Sequence, residues 1–173
     1  TTLLSAPLLA KNDAGDGTKV TQEKVDATIA RFVSIRSDLL NWIKEGGAKD
    51  LNLPNGVSYD QYVSSMTEIL QSNEIVLDFT EEDYTQTNVA KFMDLSCQGF
   101  IATEDSRPHI QCNINKFNRL GQTGQYEIVH HVFAGLKKLE IDNSSFASSP
   151  KINNSTYIIS ERVIDYLVGE SNG

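Results

Sequence analysis

The chain has 173 residues, 39% of them hydrophobic and 22% charged, which suits one globular domain with its own core and excludes a disordered chain. Fifteen Lys and Arg stand against 23 Asp and Glu, for a net charge of −8 and a pI near 4.8. That balance speaks against nucleic acid and against docking on anionic lipid, since both need clustered Lys and Arg. No apolar run approaches the roughly 20 residues that span a bilayer.

The chain opens on Thr1 to Ala10, mostly apolar or small. Two readings fit: the end of a secretory signal with Leu8-Leu9-Ala10 as a poor cleavage site, or a packed mature N-terminus. The second is preferred, with Leu3, Leu4, Leu8 and Leu9 against the core or against a second copy in a homo-oligomer. Residues 11 to 20 are polar and glycine-rich. Asn12, Asp13 and Asp16 are oxygen ligands in type, but the alternating acids and closing glutamate of an EF-hand loop are missing, so a solvated loop is expected. Residues 1–20 thus form a lead segment, and 21–173 one domain.

The first helix is expected over 22–45, with Thr21 as N-cap and Gly46-Gly47 as the stop. Its apolar face would be Val25, Ile29, Phe32, Val33, Leu40 and Ile43, widened by Leu39 and Trp42. A second helix starts at Ser58, which has capping-box spacing to Gln61; Tyr62, Val63, Met66, Ile69 and Leu70 form its face. Then β-formers dominate, in 74–80 and 89–96. Glu81, Glu82 and Asp83 read as a solvated turn between them.

Cys97 and Cys112 flank a hairpin. "QGFIAT" and "HIQCNIN" read as its strands and "EDSRP" as its turn. Folding about Glu104-Asp105 sets residue 97 opposite residue 112, at the separation a disulfide needs. Such a bridge implies an oxidising compartment, the periplasm or the exterior. A third helix is expected over 123–139, a polar stretch over 142–155, a short strand "TYIIS" over 156–160, and a closing helix "SERVIDYLV" over 160–168. Asn143, Asn153 and Asn154 each begin a glycosylation sequon, of the kind that arises by chance in a stretch so rich in Asn and Ser. Helices and strands are grouped rather than alternating. The expected class is α+β: a small antiparallel sheet with a disulfide-bridged hairpin packed against three or four helices.

The most provocative stretch is "EIVHHVFAGLKKLE", residues 127–140. A zinc peptidase helix needs two histidines at i and i+4 with a glutamate after the first. From His130 those positions hold His131 and Ala134; from His131 they hold Val132 and Gly135. Neither register supplies base and second ligand. Adjacent histidines lie about 100° apart on a helix and cannot replace an i, i+4 pair. With His109 on the hairpin, a three-histidine metal site is conceivable but disfavoured, so no metal and no cofactor is expected. On a helical projection Tyr126, Val129, Val132, Phe133, Leu136 and Leu139 form the buried stripe. His130 and His131 fall roughly 120° to 140° from its centre, as surface or boundary residues. Glu127 pairs with His131 at i, i+4. Gly135 leaves room for an element to pack closely beside His131.

The pieces "KNDAGDG" (11–17), "HVFAGL" (131–136), "LEI" (139–141) and "YIIS" (157–160) resemble motifs of a group of small, uncharacterised secreted proteins of predatory bacteria. Those carry a G-N-G-G-D-G-like stretch after the signal peptide, an H-E-x-x-G-L helix, G-I-E and a Y-x-x-S strand. His131, Gly135, Leu136, Glu140, Tyr157 and Ser160 match, and Val132 stands where the family has glutamate. The resemblance implies export and a degenerate metallopeptidase-like helix.

Two functions compete with the metal reading. One is an exported, non-enzymatic protein that binds a protein or an envelope component. The other is a hydrolase using His131 or His130 with a carboxylate (Glu127 or Glu140) and a hydroxyl (Ser160 or Tyr157). A Ser–His–acid arrangement is recognised by geometry rather than order, but no G-x-S-x-G elbow is present. The first is preferred, with no catalytic residue assigned.

Overall fold

A computed structural model describes residues 20–53, 56–82, 96–140 and 158–171. The apolar lead segment, Asn12, Asp13, Asp16, Asp83, residues 89–95 of the expected second strand, the three sequons and Tyr157 lie outside the described residues.

Helix α1 runs Gln22–Lys44, and Thr21 caps it by accepting a hydrogen bond from the Lys24 amide. Gly46 ends it in the left-handed conformation at φ 83°, where glycine carries no Cβ penalty. A 3-10 turn, Gly47–Asp50, follows. The buried stripe of α1 is Thr28, Phe32, Ile35, Leu39 and Ile43. That differs from the expected face: Thr28 and Ile35 are buried and Val33 is 44% exposed. The stripe advances by steps of four and three residues, and Val33 lies a full residue step of about 100° from Phe32. Helix α2, Tyr59–Leu70, is capped by Ser58 at the Gln61 amide and buries Tyr62, Met66, Ile69 and Leu70, as its periodicity predicts.

The strands are β1 (Val76–Thr80), β2 (Cys97–Ile101) and β3 (Pro108–Asn113), in the order β1-β3-β2. β2 and β3 are antiparallel, with Cys97 opposite Cys112 and Ile101 opposite Pro108. β1 pairs with β3 in parallel, so the sheet is mixed, not antiparallel as expected. The class remains α+β. The hairpin turn is closed by Ala102 and Arg107, and Asp105 accepts from the Arg107 amide. The Asn113 amide donates to the Ser96 carbonyl, so the neighbouring Cys97–Cys112 pair is a narrow, non-hydrogen-bonded one. Its Cα atoms are 4.0 Å apart and its sulfurs are joined.

Beyond β3 the expected strand stops early. Asn113 closes β3 and caps helix α3, Ile114–Arg119, by accepting from the Lys116 amide. This short helix is not apparent from periodicity; the cap-forming asparagine is its one local signal. Helix α4 spans Gln122–Leu136 and ends three residues before the expected boundary. Helix α5 spans Ile158–Ser171. Ile158, Ile159 and Ser160 therefore belong to its first turn and not to a strand. Two adjacent isoleucines favour either state by propensity, and packing on α4 decides.

The core centres on Phe32. Its ring meets Phe79 of β1 at 5.4 Å, Phe117 of α3 at 6.1 Å and Phe133 of α4 at 6.0 Å. α4 is the hub: α1, α2, β2 and α5 all pack on it. Its approach to the sheet is closest at Gly99, where an added Cβ would lie 2.9 Å from the Val132 carbonyl oxygen. Gly135 does not have the close-packing role expected of it. A Cβ there would sit 3.9 Å from the Glu140 carbonyl, an ordinary contact.

Two predictions follow from this packing. Gly99→Ala should lower the urea-unfolding free energy by about 1–3 kcal/mol, because a helix backbone cannot yield as a side chain would; an unchanged midpoint would show that the two elements are not flush. Reducing Cys97–Cys112, which closes a loop with a sequence separation of 15, should cost about 3 kcal/mol in the same assay.

Candidate functional site

Seven consecutive residues of α4, Ile128 to Ala134, are buried. No amphipathic helix on a surface can do this; α4 must be covered on every side. The water-facing flank expected for the two histidines therefore does not exist: His130 is 0% and His131 5% exposed. α2 and α5 cover His130, and β2 with the turn after α4 covers His131.

That turn has a definite mechanism. Lys138 takes φ 56°, its amide donates to the Gly135 carbonyl, and the Leu139 amide donates to the Ala134 carbonyl. This is the Schellman arrangement, with a lysine where glycine is usual. It reverses the chain within four residues and lays Glu140 back along α4. The Glu140 carboxylate is then 2.6 Å from His131 Nδ1. Its other oxygen accepts the Ser160 amide at 2.5 Å, and the Ser160 hydroxyl lies 2.8 Å from Oε2. Ser160 is the third residue of α5, where an amide lacks an intrahelical acceptor. Glu140 thus caps α5 from outside it, its charge placed at the favourable end of the helix dipole.

The chain of contacts continues. His130 Nδ1 is 2.7 Å from Ser160 Oγ, and His130 Nε2 is 2.7 Å from the Tyr62 hydroxyl. Counting protons assigns the roles. Ser160 has one hydroxyl proton and gives it to Glu140, so it accepts from His130 Nδ1–H. His130 Nε2 then accepts from Tyr62. Every donor points along one line, from Tyr62 through His130 and Ser160 to Glu140, with His131 Nδ1–H arriving from the other side. Aligned hydrogen bonds of this kind polarise one another.

The electrostatics agree. Burial pushes the Glu140 carboxyl up, but the hydrogen bond from His131, the two imidazoles and the Ser160 hydroxyl outweigh it and hold it below the ordinary carboxylate range. Burial pushes His130 down to about 4, against the pull of Glu140, and His131 adds to the depression. Burial and then the Glu140 charge raise the Tyr62 phenol far above its usual value. At neutral pH the line therefore has an ionised end at Glu140 and neutral groups at His130 and Tyr62.

Four of the residues singled out from sequence, His130, His131, Glu140 and Ser160, meet in this network. Gly135 lines a cavity of about 30 Å³ between α4 and β2, with His131, Val132, Cys97, Gln98 and Gly99. Glu127 is half-buried one turn before His131, and the carboxylate on His131 Nδ1 is that of Glu140. Sequence reasoning passed over Tyr62, counted as apolar. A tyrosine at the centre of a helix's buried stripe is itself a signal, because its hydroxyl needs a partner there. His109 belongs elsewhere: it stacks on Phe100 at 5.5 Å and bonds Asp105 at 2.8 Å. Among the described residues no three His, Cys, Asp or Glu side chains are grouped to hold a metal. Ser160 is 0% exposed, so no substrate reaches its hydroxyl in this arrangement. Val132, where the resembling group has glutamate, is 3% exposed in the core.

The surface offers a shallower feature. A groove of about 620 Å³ lies between the end of α2, the hairpin and the end of α4. Ile69, Ile101, Pro108 and Leu136 line it, and a Lys137–Glu68 ion pair of 2.8 Å stands at its rim.

No protein-family model, no curated protein and no solved structure matches the chain.

The network makes stability depend on pH. Folded His130 titrates near 4 and an unperturbed histidine near 6.5, so between those values the unfolded chain binds the extra proton. Stability is full above about pH 6.5 and declines until about pH 4, by about 3 kcal/mol. Glu140, also depressed, adds a contribution present above its ordinary value of 4.5 and lost below it. Urea unfolding at pH 7 and pH 4 should show that drop, and equal free energies would contradict the buried neutral His130.

Proposed function

We infer that this chain is an exported, non-enzymatic binding protein of the periplasm or cell exterior, directed at a protein or an envelope component. One observation carries the reading. Four of the side chains that look catalytic, His130, His131, Glu140 and Ser160, are hydrogen-bonded to one another inside the core, where with Tyr62 they join α2, α4 and α5. Chemistry needs a nucleophile that can reach substrate and a base that can take its proton. Here the Ser160 proton is aimed at a carboxylate that also caps a helix, and the neighbouring imidazole donates to Ser160 rather than accepting from it. The Cys97–Cys112 bridge supports an oxidising compartment. The resemblance to secreted proteins of predatory bacteria points the same way, and Val132 removes the glutamate that a metallopeptidase helix would need. The groove beside Ile101, which is 56% exposed, offers an open surface to a partner.

The test treats the native, oxidised protein with a fluorophosphonate and maps the adducts by mass spectrometry. No labelling of Ser160 is expected, and the chain should purify without stoichiometric zinc. An adduct at Ser160 that vanishes in Ser160→Ala, or one zinc per chain, would overturn the non-enzymatic reading. Thiol alkylation of unreduced source material should leave both cysteines unmodified; alkylated Cys97 would argue against export.

A further inference from the structure

α5 is attached to the rest of the fold in two ways. Ile159, Val163 and Ile164 are buried against the core. Its N-terminal turn is held by Glu140 through the Ser160 amide and hydroxyl. We propose that the Glu140–Ser160 clasp is an acid-released latch: protonation of the buried network frees α5 from α4 while α1 and the disulfide-bridged sheet stay folded.

The geometry makes an added proton disruptive where an atom already has all its donors or must reverse its role. Three donors point at the Glu140 carboxylate: Ser160 N–H, Ser160 O–H and His131 Nδ1–H. Oε2 accepts two of them, from His131 and the Ser160 hydroxyl, so a proton on that oxygen meets one of them donor against donor. The same holds at His130, whose Nδ1 faces Ser160 and whose Nε2 faces the Tyr62 hydroxyl. A second N–H on the ring turns Nε2 into a donor, and the Tyr62 hydroxyl must swing its own proton out of the line to accept it. These contacts run between elements: Glu140 to α5, and His130 to both α2 and α5. The core stripe of α1, by contrast, is apolar from Phe32 to Ile43, and β2 is bonded to β3 through sulfur.

Among the described residues, the titratable and charged groups around the clasp are few, and Glu127 of α4 stands one turn before His131. From α4 come His130 and His131, and from α2 Tyr62. β2 contributes Cys97, which is in the disulfide. On α1, Arg36 lies over Phe133 and is spent on the Leu70 and Ser72 carbonyls. Arg162 of α5 bonds the Asn52 carbonyl, and Lys137 pairs with Glu68. His130 alone, near 4 when docked and no higher than about 6.5 once α5 leaves, shifts the docking equilibrium by at most roughly 300-fold across that interval.

The chain carries its own reporter. Its one tryptophan, Trp42 of α1, packs against Tyr166 of α5 at 6.2 Å. The experiment measures amide hydrogen exchange of the oxidised full chain at pH 7 and pH 4, as protection factors, with Trp42 emission in parallel. Protection across residues 158–171 is expected to fall at least tenfold at pH 4, with a red shift of Trp42, while residues 32–43 keep theirs. Glu140→Gln should show the released pattern already at pH 7. Protection that falls together in α1 and α5, or that falls in neither, overturns the latch. Should Glu140→Gln fail to fold, the wild-type comparison decides by itself. The outcome is independent of Ser160 labelling, so the latch and the non-enzymatic reading can fail separately.

Discussion

A carboxylate without water is the constraint on which this structure turns. Glu140 is 4% exposed and ionised. An ion in that position is tolerated only if its lone pairs are met by donors of good geometry. Meeting them takes a reversed turn after α4, a histidine in one tautomer, a serine at the third position of α5, and a tyrosine from α2 to satisfy the second histidine. Three helices and the turn after α4 are thereby committed to one register. Apolar burial alone would leave α5 free to slide along α4, since one aliphatic contact resembles the next. A directional network does not permit that.

The second constraint is steric. β2 can lie on α4 only because residue 99 has no side chain, and the bridge to Cys112 keeps that strand in the hairpin. The cavity beside Gly135 sits at the same junction, in the space between a helix surface and a strand that touch at Gly99. Polar network and close contact flank α4 on neighbouring sides. That is why the helix is buried nearly all round despite its two histidines.

Serine, histidine and glutamate within hydrogen-bond reach are often read as catalytic. Here direction and access support the non-enzymatic reading proposed above. The donors flow toward the carboxylate, and the hydroxyl is enclosed. The same residue types that activate a nucleophile in an open cleft act, when enclosed, as a lock among helices, and locks of titratable groups respond to acid.

Much of the local structure could be read from sequence. Thr21 and Ser58 as caps, Gly46 as a stop, the apolar face of α2 and the opposition of Cys97 to Cys112 all follow from short-range rules about backbone geometry and orphan amides. The site was legible only in part. His130, His131, Glu140 and Ser160 stood out as residue types, but the projection of α4 placed the histidines toward water. A projection records one apolar stripe and cannot count how many elements will cover a helix. Tyr62 was hidden in an apolar face for the same reason. The sequence by itself therefore determined the caps and ends of α1, the start of α2 and the disulfide register, because each depends on neighbours a few residues away or on one hairpin. The tertiary structure alone decided that β1 joins in parallel, that Ile158 to Ser160 are helical, and that a carboxylate, two imidazoles and two hydroxyls share one line. Those outcomes depend on which distant surfaces exclude water together.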